Sequence, residues 1–492
     1  MKAAVQRAAS TAATEGVLIL VVGLFAIIVV SNLAPYFTTD TWLALVSGRE
    51  IAHGGLPHTD TLTVWSAGDH WVDQQWLGQL ALYGLRAVGG FGLMAISHAL
   101  LVIAPFAAAL AIARRRGAGV RGTLAIGLLA IEPCLIVGAN IRAQTFAFGL
   151  FVIVLWLLSG HQRAPSKRVF WTIPVLVLWS NIHGSVVLGG ALVVLAGSLS
   201  VFQVLRGRRA PSGPSAQQSL LLVALAVAAL FASPYAASLP SYYGATLFNP
   251  QFRVLVAEWL PPEASLLLAP FFLLIGTAVA VLGRAGPRLT SFERAAIAGT
   301  IVLALTAYRN LAWFALVGAM FLPPAMGSGP ARDARPPRLV AVGSGVVVTG
   351  VVIFAIASLA GLDDKLRERF APRMFDTVAA AAARDPTLQI YADLTYADWL
   401  LWNRPELAGH VLFDARLELL SDSELRRILR FQSQTGADWR PAAGAARLFV
   451  LPARERPLEG LPTTASVLLR SSGARKLYAD AEAVVVLDRN PG

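Results

Sequence analysis

The residue best suited to chemistry in this 492-residue chain is Asp40, in the polar segment Thr38-Thr39-Asp40-Thr41-Trp42. A carboxylate beside an apolar stretch can orient or deprotonate the hydroxyl group of an acceptor molecule. Asp also caps helices well, and the residues after Asp40 have helical character. The two roles are compatible, because a capping carboxylate can still face a cavity. Asp40 is therefore the predicted catalytic residue.

Two further carboxylates lie in the same polar region. Asp60 is part of Leu56-Pro57-His58-Thr59-Asp60, and Asp73 is part of Trp71-Val72-Asp73-Gln74-Gln75-Trp76. Each could equally serve as a turn or helix cap, because Asp bonds readily to nearby backbone groups. We predict that both contribute to substrate binding, with the capping role as the alternative.

Arg142 and Arg309 stand at the ends of apolar stretches. Long basic side chains at such positions can extend to lipid headgroups, which is the simplest explanation for both. An arginine also presents forked donors that match a phosphate group. The functional prediction is a pair of arginines that bind a phosphate.

Two more polar residues interrupt apolar sequence. His183 lies in Ser180-Asn181-Ile182-His183-Gly184, and Glu258 precedes Trp259 and two prolines. His183 could be a packing histidine with satisfied hydrogen bonds, whereas Glu258 has no evident capping role. Ionisable groups are costly near lipid and tend to be functional there, so both are predicted substrate-binding residues.

The elements that must position these residues are membrane helices. Hydrophobic residues make up 56% of the chain and charged residues only 14%, against about 25% in soluble domains. Runs of this apolar character can cross a membrane only as helices. The predicted fold is a polytopic α-helical membrane protein with about eleven spans. They cover residues 15–34, 91–113, 122–138, 143–159, 169–182, 185–205, 217–233, 265–283, 295–308, 311–326 and 339–360.

The distribution of charge predicts the orientation of these spans. The net charge is +12, but acidic and basic residues balance from Asp363 onward, so the excess lies in short clusters between apolar runs. With a cytoplasmic N-terminus, every inner loop is basic, from Lys2 and Arg7 to Arg332, Arg335 and Arg338. The predicted outer segments before the tail hold only Arg49, Arg86, Arg142, Arg253 and Arg309. This pattern indicates membrane topology in the plasma (inner) membrane rather than a nucleic-acid partner.

The chain divides into two predicted domains. Residues 1–362 form a transmembrane domain with two long outer segments, 35–90 and 234–264, and the stretches Thr41–Ile51 and Gln74–Ala87 are predicted surface helices. Residues 363–492 form a small extracytoplasmic α/β domain. Its predicted strands are 389–392, 410–413, 447–451 and 483–487, and its predicted helices are 397–402 and 423–429, the second opened by a capping box of Ser421 and Glu424.

This arrangement resembles the type-C glycosyltransferase superfamily of membrane enzymes. The likeness rests on an N-terminal span, an outer loop that opens with Asp40, many further spans and an outer α/β domain. Several short phrases resemble uncharacterised bacterial members: Gly48-Arg49-Glu50-Ile51, Trp71-Val72-Asp73-Gln74-Gln75-Trp76-Leu77, Trp179-Ser180-Asn181-Ile182-His183-Gly184, Ser233-Pro234-Tyr235 and Phe413-Asp414-Ala415-Arg416-Leu417-Glu418-Leu419.

The resemblance implies a membrane glycosyltransferase. Such an enzyme would move a sugar from a polyprenyl-phosphate donor to a glycan or lipid acceptor of the cell envelope, at the outer face of the membrane. Asp40 would be the carboxylate that positions or activates the acceptor, and Arg142 and Arg309 would bind the donor phosphate. The Trp-Trp-Asp signature of oligosaccharyltransferases is missing, as is an Asp-x-Asp in the second outer loop. The resemblance therefore extends neither to peptide glycosylation nor to a metal ion, and no cofactor is specified.

A different class of function stays open beside this one. A transporter of lipid-linked saccharides, or a non-catalytic subunit of envelope assembly, could share the same membrane topology. A transporter needs polar groups near the bilayer midplane and often contains inverted repeats. Glu132 is the main acidic residue inside a predicted span, and no inverted repeat is visible. The glycosyltransferase is therefore the favoured interpretation.

Overall fold

The structure of the protein is a computed structural model in which most of the chain can be described. The described residues are 16–207, 213–247, 249–250, 255–284, 286–327, 338–370, 372–436, 438–454 and 462–489. Of the basic residues that predicted the orientation, Lys2, Arg7, Arg208, Arg209, Arg253, Arg332 and Arg335 lie outside these ranges.

The described chain is mostly helical, and a helix overlaps every predicted span. The α-helices are α1 (Gly16–Val30), α2 (Thr39–Gly54), α3 (Trp76–Arg115), α4 (Val120–Gly138), α5 (Gln144–Arg163), α6 (Thr172–Ser180), α7 (Val186–Leu205), α8 (Ala216–Ala229), α9 (Leu239–Leu247), α10 (Ala269–Arg284), α11 (Ser291–Thr306), α12 (Leu311–Met326), α13 (Arg338–Ala360), α14 (Leu362–Arg369), α15 (Pro372–Arg384), α16 (Leu394–Asn403), α17 (Asp422–Gln432) and α18 (Thr464–Leu468).

Five of the described helices are long and apolar enough to cross a membrane, namely α3, α4, α5, α7 and part of α13. Shorter apolar helices include α1, α8 and α10. A spanning helix requires about 20 residues, so the longer five define a multi-pass membrane protein and the count of eleven spans stays a prediction.

Helix α3 contains a break where the sequence has a cluster of glycines. Gly89 has φ −140° and Gly90 has φ +67°, so neither residue is helical. A side chain at Gly90 would be strained at this positive φ, whereas glycine adopts it readily. The segment 76–87 is therefore a separate helical stretch, as predicted for Gln74–Ala87, and the apolar stretch begins after the glycines.

The described chain forms two compact units. Unit 1 comprises residues 1–36, 88–236 and 257–360, and unit 2 comprises residues 37–87, 237–256 and 361–492. Unit 2 thus contains the predicted C-terminal region and, in addition, most of the first long polar segment and part of the second.

Unit 1 is held together by apolar packing and by one buried ionic cluster. Glu293 is fully buried at the start of α11. Its carboxylate accepts hydrogen bonds from Ser159 Oγ at 2.6 Å, Arg163 Nη2 at 2.7 Å and Arg116 Nη1 at 3.1 Å. These contacts join α11 to α5 and to the end of α3. Because the charge is paired and hydrogen-bonded on both sides, it can be buried without a large penalty.

Unit 2 contains a four-stranded sheet in the order β1-β2-β4-β3. The strands are β1 (Gln389–Ala392), β2 (Ala446–Pro452), β3 (Ala474–Ala479) and β4 (Ala483–Asp488). β1 runs parallel to β2, whereas β4 is antiparallel to both β2 and β3. The parallel pair is connected through α16 and α17, as parallel strands require a long crossover. The capping box of Ser421 and Glu424 opens α17 as predicted.

The sequence prediction of this sheet was wrong in one strand. Residues 410–413 form only an isolated parallel bridge from Val411 to Ile390, in which Ile390 N–H donates to His410 O at 2.8 Å and Leu412 N–H donates to Ile390 O at 2.9 Å. Other backbone groups of the segment pair with a loop. Val64 N–H donates to Val411 O at 2.9 Å, and Trp65 N–H donates to Leu412 O at 3.0 Å. The edge strand β3 was missed, since its alternating polar residues gave no apolar run.

Helix α2 forms as predicted, and eight of its 16 residues are buried. The ring centroid of Trp42 lies 4.1 Å from that of Trp399 on α16. Near the other end, Arg49 donates from its two terminal nitrogens to the carbonyl oxygens of Trp402 and Leu401, both at 2.9 Å. These carbonyls belong to the last turn of α16, where the helix itself supplies no donors. Helix α2 is therefore fixed to α16 at two points, and its position along the membrane surface stays a prediction.

Candidate functional site

The predicted site residues fall into two groups. Arg142, His183, Glu258 and Arg309 lie in unit 1, whereas Asp40, Asp60 and Asp73 lie in unit 2.

The group in unit 1 is built on three connecting segments. Arg142 lies in the turn between α4 and α5, where Ile141 N–H donates to Tyr36 O at 2.9 Å. Glu258 lies in the single 3₁₀ turn Ala257–Trp259, and Arg309 lies in the 3₁₀ turn Tyr308–Asn310. The last two turns are joined because Tyr308 N–H donates to Leu260 O at 3.0 Å. Short turns between helices thus fix the backbone of all three residues.

The carboxylate of Glu258 is the centre of this group. Arg142 Nη1 lies 2.7 Å from Glu258 Oε2. The amide Nδ2 of Asn140 donates to Glu258 Oε1 at 3.0 Å. Burial by itself would raise the pKa of Glu258, but the charges of Arg142 and Arg309 and the hydrogen bond from Asn140 hold it below its usual value. Glu258 is therefore ionised at neutral pH.

Arg309 completes the group with a second cation. Its guanidinium carbon lies 4.4 Å from the centre of the Trp259 ring, which is a cation–π contact. A guanidinium held against a ring loses fewer orientations when it binds an anion, because its plane is already restricted. Trp259, next in sequence to Glu258, was not predicted as a site residue.

His183 is buried and neutral, with only 7% of its surface exposed. Burial and the charges of Arg309 and Arg142 hold the pKa of His183 well below its usual value. Its Nδ1 accepts from the backbone N–H of Ser185 at 3.0 Å and lies 2.8 Å from Ser185 Oγ. The proton of the ring is therefore on Nε2. These contacts match the packing role considered for His183. Because the charges of Arg309 and Arg142 lower its pKa, His183 also belongs to the same group of residues.

The group in unit 2 is centred on a buried arginine that sequence reasoning did not assign to a site. Arg416 Nη2 lies 2.6 Å from Asp414 Oδ2 and 2.8 Å from Asp60 Oδ1. Its guanidinium carbon lies 4.3 Å from the centre of the Trp71 ring. Three of the short phrases noted in the sequence therefore meet in one ionic cluster. Their spacing gave no sign of this contact, since the phrase that contains Arg416 is far along the chain from the other two.

Asp60 is held entirely by protein groups. Its oxygens accept hydrogen bonds from Thr63 Oγ1 at 2.6 Å, Ser66 Oγ at 2.8 Å and Leu62 N–H at 3.0 Å. Burial raises the pKa of Asp60, but Arg416 and these hydrogen bonds outweigh it, and the pKa lies below its usual value. The geometry is that of a turn-forming carboxylate, the alternative considered for this residue.

Asp73 has a different environment, although it lies in the same unit. It is 3% exposed, and its Oδ2 has no hydrogen-bond partner among the described residues. Burial raises the pKa of Asp73 to about 7. Asp398 on α16 is also buried, and its burial together with the charge of Asp414 raises its pKa well above the usual value. The pKa values of the carboxyl groups near Arg416 are thus shifted in opposite directions, since that of Asp60 is lowered and those of Asp73 and Asp398 are raised.

Asp40 lies in the first turn of α2 and is partly exposed. It is not the N-cap, because the helix begins at Thr39 and its N-cap is Thr38, whose backbone N–H donates to Thr41 Oγ1 at 3.0 Å. A carboxylate in the first turn is still favoured by the helix dipole. The N-cap role considered as the alternative for Asp40 is therefore wrong, and the catalytic role stays a prediction.

Among the described residues, no three His, Cys, Asp or Glu side chains are grouped so that they could hold a metal ion. The chemistry of the described groups is that of carboxylates, amides and guanidinium ions.

No protein-family model matches the chain, and no curated protein matches it. Among solved structures, it is similar to ArnT from Cupriavidus metallidurans bound to undecaprenyl phosphate. The TM-score is 0.48 and the sequence identity 15%, over 96% of this chain and 97% of ArnT.

The chain is also similar to two other solved structures. For the oligosaccharyltransferase of Archaeoglobus fulgidus, the TM-score is 0.47 at 11% identity, over 88% of this chain and 69% of that one. For the arabinofuranosyltransferase AftD from Mycobacteria, the TM-score is 0.46 at 15% identity, over 96% of this chain and 40% of that one. All three proteins are type-C glycosyltransferases, the superfamily that the sequence resembles.

Proposed function

We propose that this protein is a membrane glycosyltransferase that moves a sugar from a polyprenyl-phosphate donor to an acceptor of the cell envelope. In this proposal the donor phosphate binds to Arg142 and Arg309, and Asp40 activates the acceptor hydroxyl. The reaction takes place at the outer face of the plasma membrane, with the N-terminus in the cytoplasm and the α/β region outside.

The observation that carries the proposal is the convergence of two arginines on one partly buried carboxylate. Glu258 interacts with Arg142 directly and with the charge of Arg309, and Asn140 adds an amide donor. A set of forked and amide donors that holds one oxyanion can hold another of similar size. Two arginines that only reached for lipid headgroups would have no reason to share a partner.

The proposed chemistry is a displacement at the anomeric carbon of the donor sugar. The acceptor oxygen forms the new bond to this carbon, and its proton passes to the carboxylate of Asp40. The bond from the anomeric carbon to the phosphate oxygen breaks, and its electron pair stays on the phosphate. Donors already fixed beside that oxygen stabilise the charge that develops there.

The proposal is tested by binding of undecaprenyl phosphate to the purified full-length protein in lipid nanodiscs. We expect Arg142→Ala and Arg309→Ala each to weaken binding by about ten- to a hundredfold, because each removes a charged hydrogen-bonding partner of the phosphate. Arg121→Ala is the matched control, since Arg121 is an exposed arginine near the start of α4, whereas Arg142 follows its end.

Equal behaviour of all three variants would show that the arginines have no special role and would contradict the proposal. The transporter would be favoured by a different result. In that case the protein binds undecaprenyl phosphate tightly and moves the intact lipid-linked saccharide across the bilayer, but does not transfer the sugar.

A further inference from the structure

A buried histidine outside the predicted site lies against the turn that carries Arg142. His98 is on α3, after the glycine break, and only 1% of its surface is exposed. Its Nε2 lies 3.0 Å from the carbonyl oxygen of Gly138, the last residue of α4. A carbonyl oxygen only accepts hydrogen bonds, so Nε2 carries a proton and is the donor. The function proposed above makes no use of this histidine.

The same imidazole reaches the other end of the turn. Thr145, near the start of α5, places its Oγ1 3.4 Å from His98 Nδ1 and 3.5 Å from the carbonyl oxygen of Asn140. The backbone N–H of Thr145 donates to Arg142 O at 3.0 Å. One side chain thus contacts both ends of the segment 139–143, in which Asn140 and Arg142 are two residues apart.

Helix α3 comes close to the end of α4 at this point. A Cβ atom at Gly138 would lie 3.0 Å from Cγ1 of Val102, which follows His98 by four residues and shares its face of α3. Glycine at position 138 therefore allows the close approach on which the hydrogen bond from His98 depends. The turn has a further contact, because Ile141 N–H donates to Tyr36 O at 2.9 Å. The ring centroid of Tyr36 lies 5.5 Å from that of His98.

We propose that His98 is a positioning residue of the candidate phosphate site, which fixes the turn 139–143 so that Asn140 and Arg142 converge on one oxyanion. The proposal rests on the function proposed above and adds a residue that touches no substrate. Both side chains already meet on Glu258, at 3.0 and 2.7 Å. Two donors on one short turn bind an anion together only when the backbone between them is held, since a misplacement of about 1 Å is already costly.

The chain offers a matched histidine for comparison. His161, in the last turn of α5, is 3% exposed, and its Nε2 lies 3.1 Å from Ser200 Oγ on α7. Its Nδ1 lies 3.1 Å from the carbonyl oxygen of Ser166. These two serines are not among the predicted site residues. Loss of either imidazole should lower stability, but only loss of His98 should change the binding of a phosphate.

The test measures the dissociation constant of undecaprenyl phosphate and the melting temperature, with the full-length protein in nanodiscs. His98→Leu and His98→Asn should each weaken binding by about tenfold, because leucine has no donor and asparagine is too short to reach Gly138 O. His98→Gln can place an amide N–H where the imidazole Nε2–H lies, so it should keep the affinity within about twofold of wild type. His161→Leu should lower the melting temperature and leave the dissociation constant unchanged.

A double-mutant cycle shows whether His98 acts through Arg142. In an Arg142→Ala background, His98→Leu should weaken binding by only about twofold more, because the side chain that it positions is already gone. In an Arg309→Ala background it should keep its full effect of about tenfold, since Arg309 lies on a different turn. A loss of general stability would instead act equally in both backgrounds.

The inference is overturned if His98→Leu and His98→Asn bind as tightly as wild type, or if the effect of His98→Leu is the same in both backgrounds. If His98→Leu does not yield folded protein, the comparison of His98→Asn with His98→Gln decides, and equal affinities overturn the inference. If the wild-type protein does not bind undecaprenyl phosphate, the proposed function fails and this inference fails with it. Binding that is lost in Arg142→Ala but kept in His98→Asn contradicts the inference alone.

Discussion

Arg416 and Asp60 form a buried ion pair inside unit 2, with Arg416 Nη2 2.8 Å from Asp60 Oδ1 and both side chains almost inaccessible. Asp60 belongs to the first long polar segment, whereas Arg416 belongs to the C-terminal region. The pair therefore ties a loop to the α/β region at a point where water cannot screen the interaction.

Replacing Arg416 by Met should destabilise the protein by about 3–5 kcal/mol, because Asp60 and Asp414 would be left as buried charges without a cation. The expected observation is a clear fall in the melting temperature of the purified protein in detergent. Arg430→Met is the control, since Arg430 pairs with Asp438 on the surface and such pairs contribute about 0–1 kcal/mol. Similar shifts for both variants would contradict a special role of the buried pair.

Asp73 should make stability fall as the pH rises. Its folded pKa of about 7 lies above its ordinary value of 3.8, so the folded protein keeps this proton when the unfolded chain has lost it. The contribution of Asp73 to the free energy of unfolding falls between about pH 4 and pH 7, by at most about 1.4 kcal/mol per pH unit. It stays low above about pH 7. Asp73→Asn should therefore raise the melting temperature more at pH 8 than at pH 5.

The control for this pH dependence is Asp69→Asn, a neighbouring exposed acid. It should shift the melting temperature little and equally at both pH values. A benefit from Asp73→Asn that is the same at pH 5 and pH 8 would show that Asp73 is not protonated in the folded protein.

Trp259 should support phosphate binding through Arg309. Removal of the ring in Trp259→Ala loses a contact of about 0.5–2 kcal/mol, equivalent to roughly two- to thirtyfold in affinity for undecaprenyl phosphate. Trp259→Phe keeps an aromatic face and should recover part of the loss. Equal effects of Ala and Phe would indicate that the face of the ring is not what Arg309 requires.

Asp40→Asn should abolish sugar transfer while leaving the binding of undecaprenyl phosphate unchanged. The amide keeps the size of the side chain but cannot accept a proton, so the rate should fall by about 10² to 10⁴. Transfer is measured with membranes that supply donor and acceptor, and binding with the purified protein. A variant that transfers at the wild-type rate would exclude Asp40 as the base.

Much of the helical architecture follows from the sequence, because apolar length and glycine breaks are local properties. The helical stretch predicted for Gln74–Ala87, the capping box at Ser421 and a helix at every predicted span are examples. Strand β3 and the pairing of Val411 with the loop at Val64 depend on partners far away in the chain. Local sequence patterns therefore do not predict them.

The candidate site, like the fold, could be predicted from the sequence only in part. Arg142, Glu258 and Arg309 were visible as polar interruptions of apolar sequence, so they could be predicted one at a time. Their mutual contacts, and the part of Asn140, come from the meeting of three turns that are far apart in the chain. Arg416 was not assigned to a site because its burial depends on residues far away in the chain, such as Asp60 and Trp71.

The chain has one cysteine, Cys134, and it is buried within α4. Thiol reagents that cannot enter lipid should therefore leave the natural protein unlabelled, and any cysteine introduced into a loop would report on that loop alone. Exposed positions such as Lys167 and Glu263 could be compared in whole cells without first removing a native thiol. The sidedness of the connecting segments is thus open to direct chemical mapping in the unaltered background.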